Sequence, residues 1–421
     1  MDTAFENSLA YARKCDEQDP LRDYRKRFYL PKGKDERELI YLCGNSLGLQ
    51  PRTVKDALLR ELEHWRKEAV EGHFRGEMPW MYYHKFLQPQ TARLVGAREE
   101  EVVVMNTLTT NLHLMMVSFY RPEGKRNKIL VEGGAFPSDQ YAVESQLKFH
   151  GIDPSEGLVE LQPREGEHCL RMEDILETIA SLGEELALVM LGGVNYYTGQ
   201  FFDLEAITRA AHAVGAMAGF DLAHAVGNVP LRLHDWEVDF AVWCSYKYLN
   251  AGPGGPSGVF VHERYAYAPD LPRFAGWWGY EEETRFLMQK GFKPMRGAAG
   301  WQLSNAQIFG FAAHKAGLDI FDEVGMDALR QKSLRLTAYL RYLLDELNER
   351  EQRFEIITPK EPEQHGCQLS LLSLHEGKAL YEKLSRQGIV CDWREPNVIR
   401  VAPVPLYNSF EEVWRFAQAL T

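Results

Sequence analysis

One lysine in this chain stands where an amine could do covalent chemistry. Lys247 lies in the stretch WCSYKYLNAGPGG, residues 243–255, with a tyrosine on each side and an apolar run before it. Removing water from an amine disfavours its charged form and leaves a better nucleophile toward a carbonyl carbon. Alternatively, such a lysine lays its alkyl chain on apolar surface and keeps its charged head in water. The local sequence leaves both interpretations open.

Asp221 gives this lysine a chemical partner. It follows the apolar run AMAGF, and it could hold a proton on a heteroaromatic nitrogen or simply cap LAHAVGN as a helix. An aspartate and a lysine at neighbouring strand ends form the arrangement that pyridoxal 5′-phosphate requires. The lysine forms a Schiff base, and the aspartate keeps the ring nitrogen protonated so that the ring accepts electrons. The pair therefore predicts a pyridoxal phosphate site.

Two further segments have residues suited to that cofactor. The threonines of NTLTTNLHLMM, residues 106–116, open a predicted helix just after a strand, where free N–H groups favour a phosphate. In AFPSD, residues 135–139, Phe136 could stack on a ring, and Ser138 and Asp139 offer hydrogen-bonding groups. Helix capping and turn formation explain the same residues, so neither segment decides the question alone.

The elements before these residues must bring them together. Between residues 51 and 265, turns and helical segments separate short apolar runs, namely EVVVM, KILVE, LALVML, AMAGF and DFAVWC, with PSGVFVHE as a further strand. Such runs are typical of strands buried on both faces of a mostly parallel sheet. Donor-rich residues follow the first five runs, and ligands bind beyond the carboxyl ends of such strands. The sequence therefore predicts one site at one edge of the sheet.

The pattern changes after residue 300. Two long helical runs lead into strand-like segments with a helix among them, namely RFEIITP, GCQLSLLSL, IVCDWRE and NVIRVAPV. We predict an α/β fold with three parts. These are an N-terminal arm at residues 1–50 that packs with the small domain, a large cofactor-binding domain at 51–300 and a small α+β domain at 301–421.

Composition argues against several classes of function. Of 421 residues, 45% are hydrophobic and 26% charged, and the net charge of −12 argues against a nucleic-acid partner. The six cysteines form no CxxC pair and no cluster with zinc spacing, which predicts reduced thiols in the cytoplasm and no metal. No apolar run approaches the roughly 20 residues of a membrane span, and the N-terminus lacks a secretory signal. No GxGxxG follows a strand, so a dinucleotide site is poorly supported.

Longer motifs identify a family. The segments YLCGNSLGLQP, AFPSDQYA, YYTGQ, FDLAHAVGNVPL, WCSYKYLNAGPGG and IRVAPVPLYNS together resemble the kynureninases, along nearly the whole chain. The resemblance implies the fold-type I architecture of pyridoxal phosphate enzymes. It also implies pyridoxal 5′-phosphate as cofactor and a homodimer that shares cofactor contacts across its interface. One departure is Gly192, where some relatives offer a hydroxyl and only backbone could contribute here.

The resemblance also implies roles for individual residues. Lys247 corresponds to the Schiff-base lysine, and Tyr246 to a tyrosine that contacts the phosphate and assists proton transfer; with Asp221 they form the catalytic set. The implied cofactor contacts are Leu108, Thr109, Phe136, Pro137, Ser138, Asp139, Asp221, His224, Tyr246, Lys247, Trp277 and Asn305. Arg400 in NVIRVA would clamp the substrate carboxylate, unless it forms a structural ion pair with an internal acid. The implied contacts to the aromatic end of the substrate are His73, Ser304 and Asn305.

The activity implied by the resemblance is hydrolysis of the Cβ–Cγ bond of L-kynurenine or its 3-hydroxy form. The products are anthranilate or 3-hydroxyanthranilate and L-alanine, in tryptophan degradation or NAD biosynthesis. The alternatives are another fold-type I enzyme, such as a class V aminotransferase or a cysteine desulfurase, and an inactive scaffold. A desulfurase needs a cysteine on a mobile loop, and RGAAGWQLSN, residues 296–305, has none. The presence of Lys247, Asp221 and Arg400 together argues against the scaffold.

Overall fold

The structure is a computed structural model that describes residues 5–421. Its strands are β1 (Ile40–Tyr41), β2 (Val102–Met105), β3 (Lys128–Glu132), β4 (Leu158–Leu161), β5 (Leu186–Gly192), β6 (Met217–Asp221), β7 (Phe240–Cys244), β8 (Ser257–Val261), β9 (Phe354–Ile356), β10 (Leu369–Ser373), β11 (Ile389–Val390), β12 (Asp392–Arg394) and β13 (Val398–Val401). All six strands predicted between residues 51 and 265 are present, and β4 was not predicted.

The helices separate these strands in the order that an α/β fold requires. They are α1 (Leu9–Glu17), α2 (Val54–Glu68), α3 (Gln88–Val95), α4 (Leu108–Phe119), α5 (Pro137–Phe149), α6 (Pro154–Gly157), α7 (Met172–Leu182), α8 (Leu204–Ala213), α9 (Ile308–Val324), α10 (Met326–Arg350), α11 (Lys378–Arg386) and α12 (Phe410–Ala419). Local sequence starts several of them. Asp203 accepts from the N–H of Ala206 at 3.0 Å at the start of α8, and Ser409 with Glu412 forms a capping box on α12.

The large sheet has the strand order β2-β8-β7-β6-β5-β3-β4. Strands β7, β6, β5, β3 and β4 pair in parallel, whereas β8 is antiparallel to both of its neighbours, β7 and β2. Strand β2 therefore points the same way as β7. The five strands that precede polar segments all end at one edge of the sheet, as predicted, because only β8 is reversed within the described residues.

Side chains on both faces of this sheet are buried. On β2, Val102 and Val104 pack into one hydrophobic cluster, and Val103 and Met105 pack into a second cluster on the opposite face. This alternation explains the unbroken apolar runs of the sequence, since each strand needs apolar residues on both sides.

A second, smaller sheet lies in the C-terminal region. It is antiparallel with the order β12-β13-β10-β9, and its cluster of buried side chains includes Ala12, Cys15 and Leu42 from the N-terminal segment. Strand β1 pairs in parallel with β11, which adds backbone contacts to this packing. The domain boundaries at residues 50 and 300 stay a prediction. Within residues 5–421, no helix has the length and apolar character needed to cross a membrane.

Candidate active site

Most of the predicted site residues meet in one cleft beyond the carboxyl ends of β2, β3, β5, β6 and β7. The cleft holds about 560 Å³ of space not filled by atoms, part of it open to solvent. Its walls are formed by Leu108, Thr109, Glu132, Phe136, Ser138, Asp139, Gly192, Val194, Tyr196, Asp221, Ala223, His224, Cys244, Tyr246 and Lys247. Residues at or just after the end of each of the five strands contribute to this wall, which is the convergence expected from the sequence.

Lys247 lies between an imidazole and an aromatic ring. Its Nζ is 2.9 Å from Nε2 of His224 and 5.9 Å from the centroid of the Phe136 ring. Burial, together with the charge of Lys247, holds the pKa of His224 well below its usual value. The neutral imidazole therefore accepts a hydrogen bond from the amine through Nε2 and carries its own hydrogen on Nδ1. That Nδ1 is buried and has no partner in the described part of the chain.

Three carboxyl groups share the cleft with this amine. Burial and the neighbouring Asp221 hold the pKa of Asp139 well above its usual value. Burial raises the pKa of Asp221 against the opposing charge of Lys247, and Ala223 donates its N–H to Asp221 Oδ1 at 2.7 Å. Burial also raises the pKa of Glu132 to about 7. Three acids facing one amine favour binding of a group that brings positive charge, such as a protonated ring nitrogen.

Hydroxyl groups and a helix start form the opposite end of the cleft. Helix α4 begins at Leu108, and the side chain of Thr107 does not cap its first turn, so backbone N–H groups there are free for a ligand. The hydroxyls of Thr109 and Ser138 lie 2.7 Å apart. Burial raises the pKa of Tyr246, so its phenol keeps its proton at neutral pH.

Arg400 approaches the cleft from the small sheet. Its side chain is 1% exposed, and its Nη1 donates to the carbonyl oxygen of Tyr196 at 2.6 Å. Its Nη2 donates to Ser46 Oγ at 3.3 Å and pairs with the carboxylate of Asp392. The structural ion pair that the sequence left open is therefore present. The Nε of Arg400 is buried and unpartnered among residues 5–421.

The loop in YLCGNSLGLQP joins the lysine segment to the small sheet. Gly48 donates its N–H to the carbonyl of Tyr246 at 2.8 Å, and a Cβ at this position would lie 2.2 Å from the carbonyl oxygen of Lys247. Only glycine permits such a close approach of two backbone segments. Ser46 Oγ donates to Asp392 Oδ2 at 2.6 Å, so the same loop also holds the end of the small sheet next to the cleft.

Arg400 contacts the wall residue Tyr196 without lining the cleft itself. The other predicted residues outside the cleft are His73, Trp277, Ser304 and Asn305, and Pro137 starts α5 between two wall residues. The Trp277 side chain is 43% exposed, both Ser304 and Asn305 are exposed, and His73 is half-buried. Exposed apolar side chains connect two of them: Phe74 follows His73, and the Phe286 ring lies 6.1 Å from Phe74 and 5.4 Å from Trp277. His73 and Trp277 therefore lie beside one exposed apolar surface, and the N–H of Trp278 donates to the carbonyl of Leu303, the residue before Ser304.

The sequence motifs assign no role to five wall residues, Glu132, Val194, Tyr196, Ala223 and Cys244. A glutamate that ends the apolar run KILVE is the signal that could have found Glu132. The segment LAHAVGN forms consecutive turns, so the helix expected as the alternative role of Asp221 is wrong. Asp221 nevertheless accepts the Ala223 N–H as a cap would, while its carboxyl also lines the cleft.

The cleft fits pyridoxal 5′-phosphate. Two polar atoms of wall residues, His224 Nδ1 and Asp139 Oδ1, are buried and have no partner in the described part of the chain, which leaves them available to the polar groups of a bound ring. The acids suit a protonated ring nitrogen, the uncapped helix start suits a phosphate, and Phe136 suits a ring face. Residues that would hold the cofactor thus cover its ring, its phosphate and its reactive carbonyl.

Solved structures with the same fold place the chain in a class. An apo cysteine desulfurase from Thermococcus onnurineus NA1 superposes with a TM-score of 0.75 at 20% identity, covering 94% of this chain and 96% of that one. A C-DES mutant with glycine covalently linked to its PLP cofactor superposes with a TM-score of 0.76 at 16% identity, covering 94% and 98%. At such identities the likeness shows the fold alone. The fold is that of the fold-type I pyridoxal phosphate enzymes.

Sequence comparison identifies the family within that class. A kynureninase of Myxococcus xanthus is 59% identical over 416 residues, which cover 99% of this chain and 97% of that protein. A kynureninase of Koribacter versatilis is 56% identical over 415 residues, again with 99% and 97% covered. The family model of the kynureninase C-terminal domain matches residues 329–420. The chain belongs to the kynureninase family.

Proposed function

We propose that the chain hydrolyses the Cβ–Cγ bond of L-kynurenine, with pyridoxal 5′-phosphate as cofactor, to give anthranilate and L-alanine. The observation that carries this proposal is full-length identity of 52–59% to several curated kynureninases. The 3-hydroxy form of the substrate belongs to the same proposal. Tryptophan degradation or NAD biosynthesis is then the metabolic setting.

Five polar residues of the wall have tasks in this reaction. When bound, pyridoxal phosphate supplies an electron sink that makes the α and β carbons of an amino acid reactive. Lys247 would hold the cofactor and, as a free amine, would take the α proton, while His224 orients this amine through the 2.9 Å contact. Asp221, with Asp139 beside it, would keep a proton on the ring nitrogen. Tyr246, which keeps its phenolic proton, donates and recovers a proton as water adds to the γ-carbonyl.

Cofactor phosphate and substrate carboxylate bind at different places. Leu108 and Thr109 hold the phosphate with Ser138, at the start of α4. Arg400 engages the substrate carboxylate, since its buried Nε is an unused donor close to the ring of Tyr196.

We further propose a homodimer in which one subunit completes the cleft of the other. His73, Trp277, Ser304 and Asn305 belong to the site by resemblance, yet they lie outside the cleft, with His73 and Trp277 beside an exposed apolar surface. Exposed apolar surface of this kind favours association with a second copy. The six cysteines are all free thiols, which supports a cytoplasmic location.

A cysteine desulfurase is the rival that the solved structures suggest. Cys244 is the cysteine in the cleft wall, but it is 4% exposed and burial raises the pKa of its thiol, which makes it a poor nucleophile. Cys367 is 1% exposed, and burial raises the pKa of its thiol to about 12. Neither cysteine lies on a loop that could reach a substrate.

The test of the proposed function is release of fluorescent anthranilate from L-kynurenine and of 3-hydroxyanthranilate from the 3-hydroxy form, with L-alanine measured in both. We expect stoichiometric products and an absorbance band near about 400 nm from the bound cofactor. Absence of the band would indicate the inactive scaffold. A band without either product, together with alanine release from cysteine, would indicate a desulfurase.

Mixing inactive variants tests the shared cleft. Lys247→Ala and the double variant Ser304→Ala/Asn305→Ala are each expected to be inactive alone. Co-expressed chains form heterodimers with one intact cleft out of two, so activity should return to about a quarter of the wild-type value. If each cleft belongs to one chain, the mixture stays inactive. Full activity of the double variant alone would contradict the assignment of both residues.

A further inference from the structure

Glu132 connects the cofactor side of the cleft to the substrate side. It is the last residue of β3, is 4% exposed, and accepts two hydrogen bonds, one from the last residue of the neighbouring strand β5 and one from the segment after it. The N–H of Gly192 donates to Oε2 at 2.7 Å, and Nδ2 of Asn195 donates to Oε1 at 3.2 Å. A Cβ at Gly192 would lie 2.9 Å from Oε1, so the missing side chain lets the carboxylate approach.

Asn195 organises the turn that follows. Its Oδ1 accepts from the N–H of Tyr197 at 3.0 Å, from the N–H of Thr198 at 2.9 Å and from the Thr198 hydroxyl at 3.1 Å. These three donors fix the orientation of the amide, so its NH₂ group must point toward Glu132. A carboxylate, which accepts on both oxygens, matches the two donors that face it.

The turn carries Tyr196, which reaches Arg400. Its carbonyl oxygen accepts from Arg400 Nη1 at 2.6 Å and from Gln368 Nε2 at 3.1 Å. Its ring meets the Phe136 ring edge-on, with centroids 5.3 Å apart. A continuous chain of hydrogen bonds therefore runs from Glu132 through Asn195 and the Tyr196 backbone to the guanidinium.

We propose that Glu132 is a positioning residue for substrate binding, whose carboxylate holds the turn 195–199 so that Tyr196 and Arg400 are placed to receive the substrate carboxylate. Glu132 touches neither the reacting atoms nor Arg400, and acts through Asn195. The inference rests on the proposed function, since the substrate is taken to be L-kynurenine. Its own content is the hydrogen-bonded bridge, which can be tested separately.

The test compares three variants of the cofactor-loaded enzyme with wild type. In Glu132→Gln one oxygen still accepts from Gly192, but an NH₂ group faces the NH₂ group of Asn195, so the bridge is lost. We expect KM for L-kynurenine to rise about tenfold, as loss of one such hydrogen bond implies, with kcat within about twofold. In the double variant Glu132→Gln/Asn195→Asp the glutamine NH₂ group can donate to the aspartate carboxylate, so the hydrogen bond is restored with its direction reversed. KM should then return to within about threefold of wild type.

Glu101→Gln is the matched control. Glu101 is also buried and accepts backbone N–H groups, from Arg98 and Glu263, each at 2.8 Å, but it lies before β2, at the opposite edge of the sheet. The KM of Glu101→Gln for L-kynurenine should equal that of wild type. In the cofactor-free chain, amide hydrogen exchange at Tyr197 and Thr198 should be faster in Glu132→Gln than in wild type or in the double variant.

Three results would overturn the bridge. They are a wild-type KM in Glu132→Gln, a double variant as impaired as the single one, and unchanged exchange at Tyr197 and Thr198. A double variant that stays impaired would assign the effect to charge rather than to hydrogen bonding. Failure of the proposed function looks different, because wild type itself would then release no anthranilate, while the exchange measurement would still report on the turn.

Discussion

The two edges of the large sheet both carry buried acids, and they differ in how those acids are satisfied. At the amino edge, Glu101 accepts from two backbone N–H groups and from His234 at 2.9 Å. At the same edge, Asp239 accepts from His212 at 2.9 Å, from the N–H of Ala218 at 2.7 Å and from the Tyr265 hydroxyl at 2.6 Å. Donors surround each of these carboxylates.

At the carboxyl edge the donors are fewer and the acids face each other. Burial and the neighbouring Asp221 make Asp139 harder to ionise, one oxygen of Asp139 has no partner within the described residues, and His224 Nδ1 is unpaired there as well. A buried polar group without a partner is unfavourable, so this edge is complete only with a ligand, whereas the amino edge is complete by itself. The contrast separates acids that stabilise the fold from acids that hold a cofactor.

The largest expected effect comes from the amine at the carboxyl edge. Lys247→Ala should lower anthranilate release by about 10³-fold or more, because no other amine lines the described cleft to hold the cofactor and move the α proton. Circular dichroism should show an unchanged fold. Lys148→Ala, on the exposed side of α5, is the control with wild-type turnover. Substantial activity in Lys247→Ala would contradict the assignment of the site.

Exchanging one acid at each edge tests the contrast directly. Asp221→Asn should lower kcat at least about 100-fold, because an amide cannot keep the ring nitrogen protonated, yet leave the cofactor-free chain as stable as wild type. Asp239→Asn should leave kcat within about twofold and destabilise the fold by about 1.5–3 kcal/mol, through loss of hydrogen bonds to a charged acceptor. Urea unfolding and steady-state kinetics give both values. If the two variants show the same changes in kcat and in the free energy of unfolding, the buried acids at the two edges do not have different roles.

The sequence was sufficient for the architecture and for the cleft residues that directly follow strands. Apolar runs located all five strands that end at the site, and their shared direction brought Thr109, Asp139, Asp221 and Lys247 together. The small α+β region was also predicted, although its last helix, α12, was not. The apolar runs are enough to predict these residues, because strands that point the same way end at the same edge of the sheet however the loops between them fold.

Contacts between distant segments could not be predicted. The pairing of Arg400 with Asp392, the approach of Gly48 to the Lys247 carbonyl and the bridge from Glu132 to Asn195 depend on how loops fold over the sheet. Polar residues at these positions carry no periodic signal. The roles of His73, Trp277, Ser304 and Asn305 came from resemblance alone, and a single chain leaves them outside the cleft.

A smaller effect is expected where the small sheet meets the carboxyl edge. Arg400→Lys should raise KM for L-kynurenine by about 10- to 50-fold with a modest change in kcat, since an ammonium cannot bind a carboxylate in two-point fashion while holding Tyr196 and Asp392. Arg353→Lys is the control, because Arg353 donates to the carbonyl of Leu420 at 2.6 Å within the C-terminal region. If Arg400→Lys and Arg353→Lys have equal KM values, Arg400 serves only in its structural ion pair with Asp392 and does not bind the substrate carboxylate.

The smallest effect concerns pH and the acids that crowd the cleft. Glu132 lines the same cleft as Asp139, Asp221 and Lys247, and burial, together with the charge of Asp221, raises its pKa from 4.5 to about 7. The folded cofactor-free chain therefore binds more protons than the unfolded chain between these values, and the stabilising contribution of Glu132 falls as pH rises from about 4.5 through 7.

The stability difference between wild type and Glu132→Gln isolates this contribution. It should decrease by about 1–3 kcal/mol over that pH range. His84 and His314, whose pKa values burial lowers to about 3, act with the opposite sign, since stability rises with pH up to about 6.5. They titrate equally in both proteins and cancel in the difference. A difference that grows with pH would mean that the fold stabilises the Glu132 carboxylate over its protonated form, and the contrast between the edges would not extend to this residue.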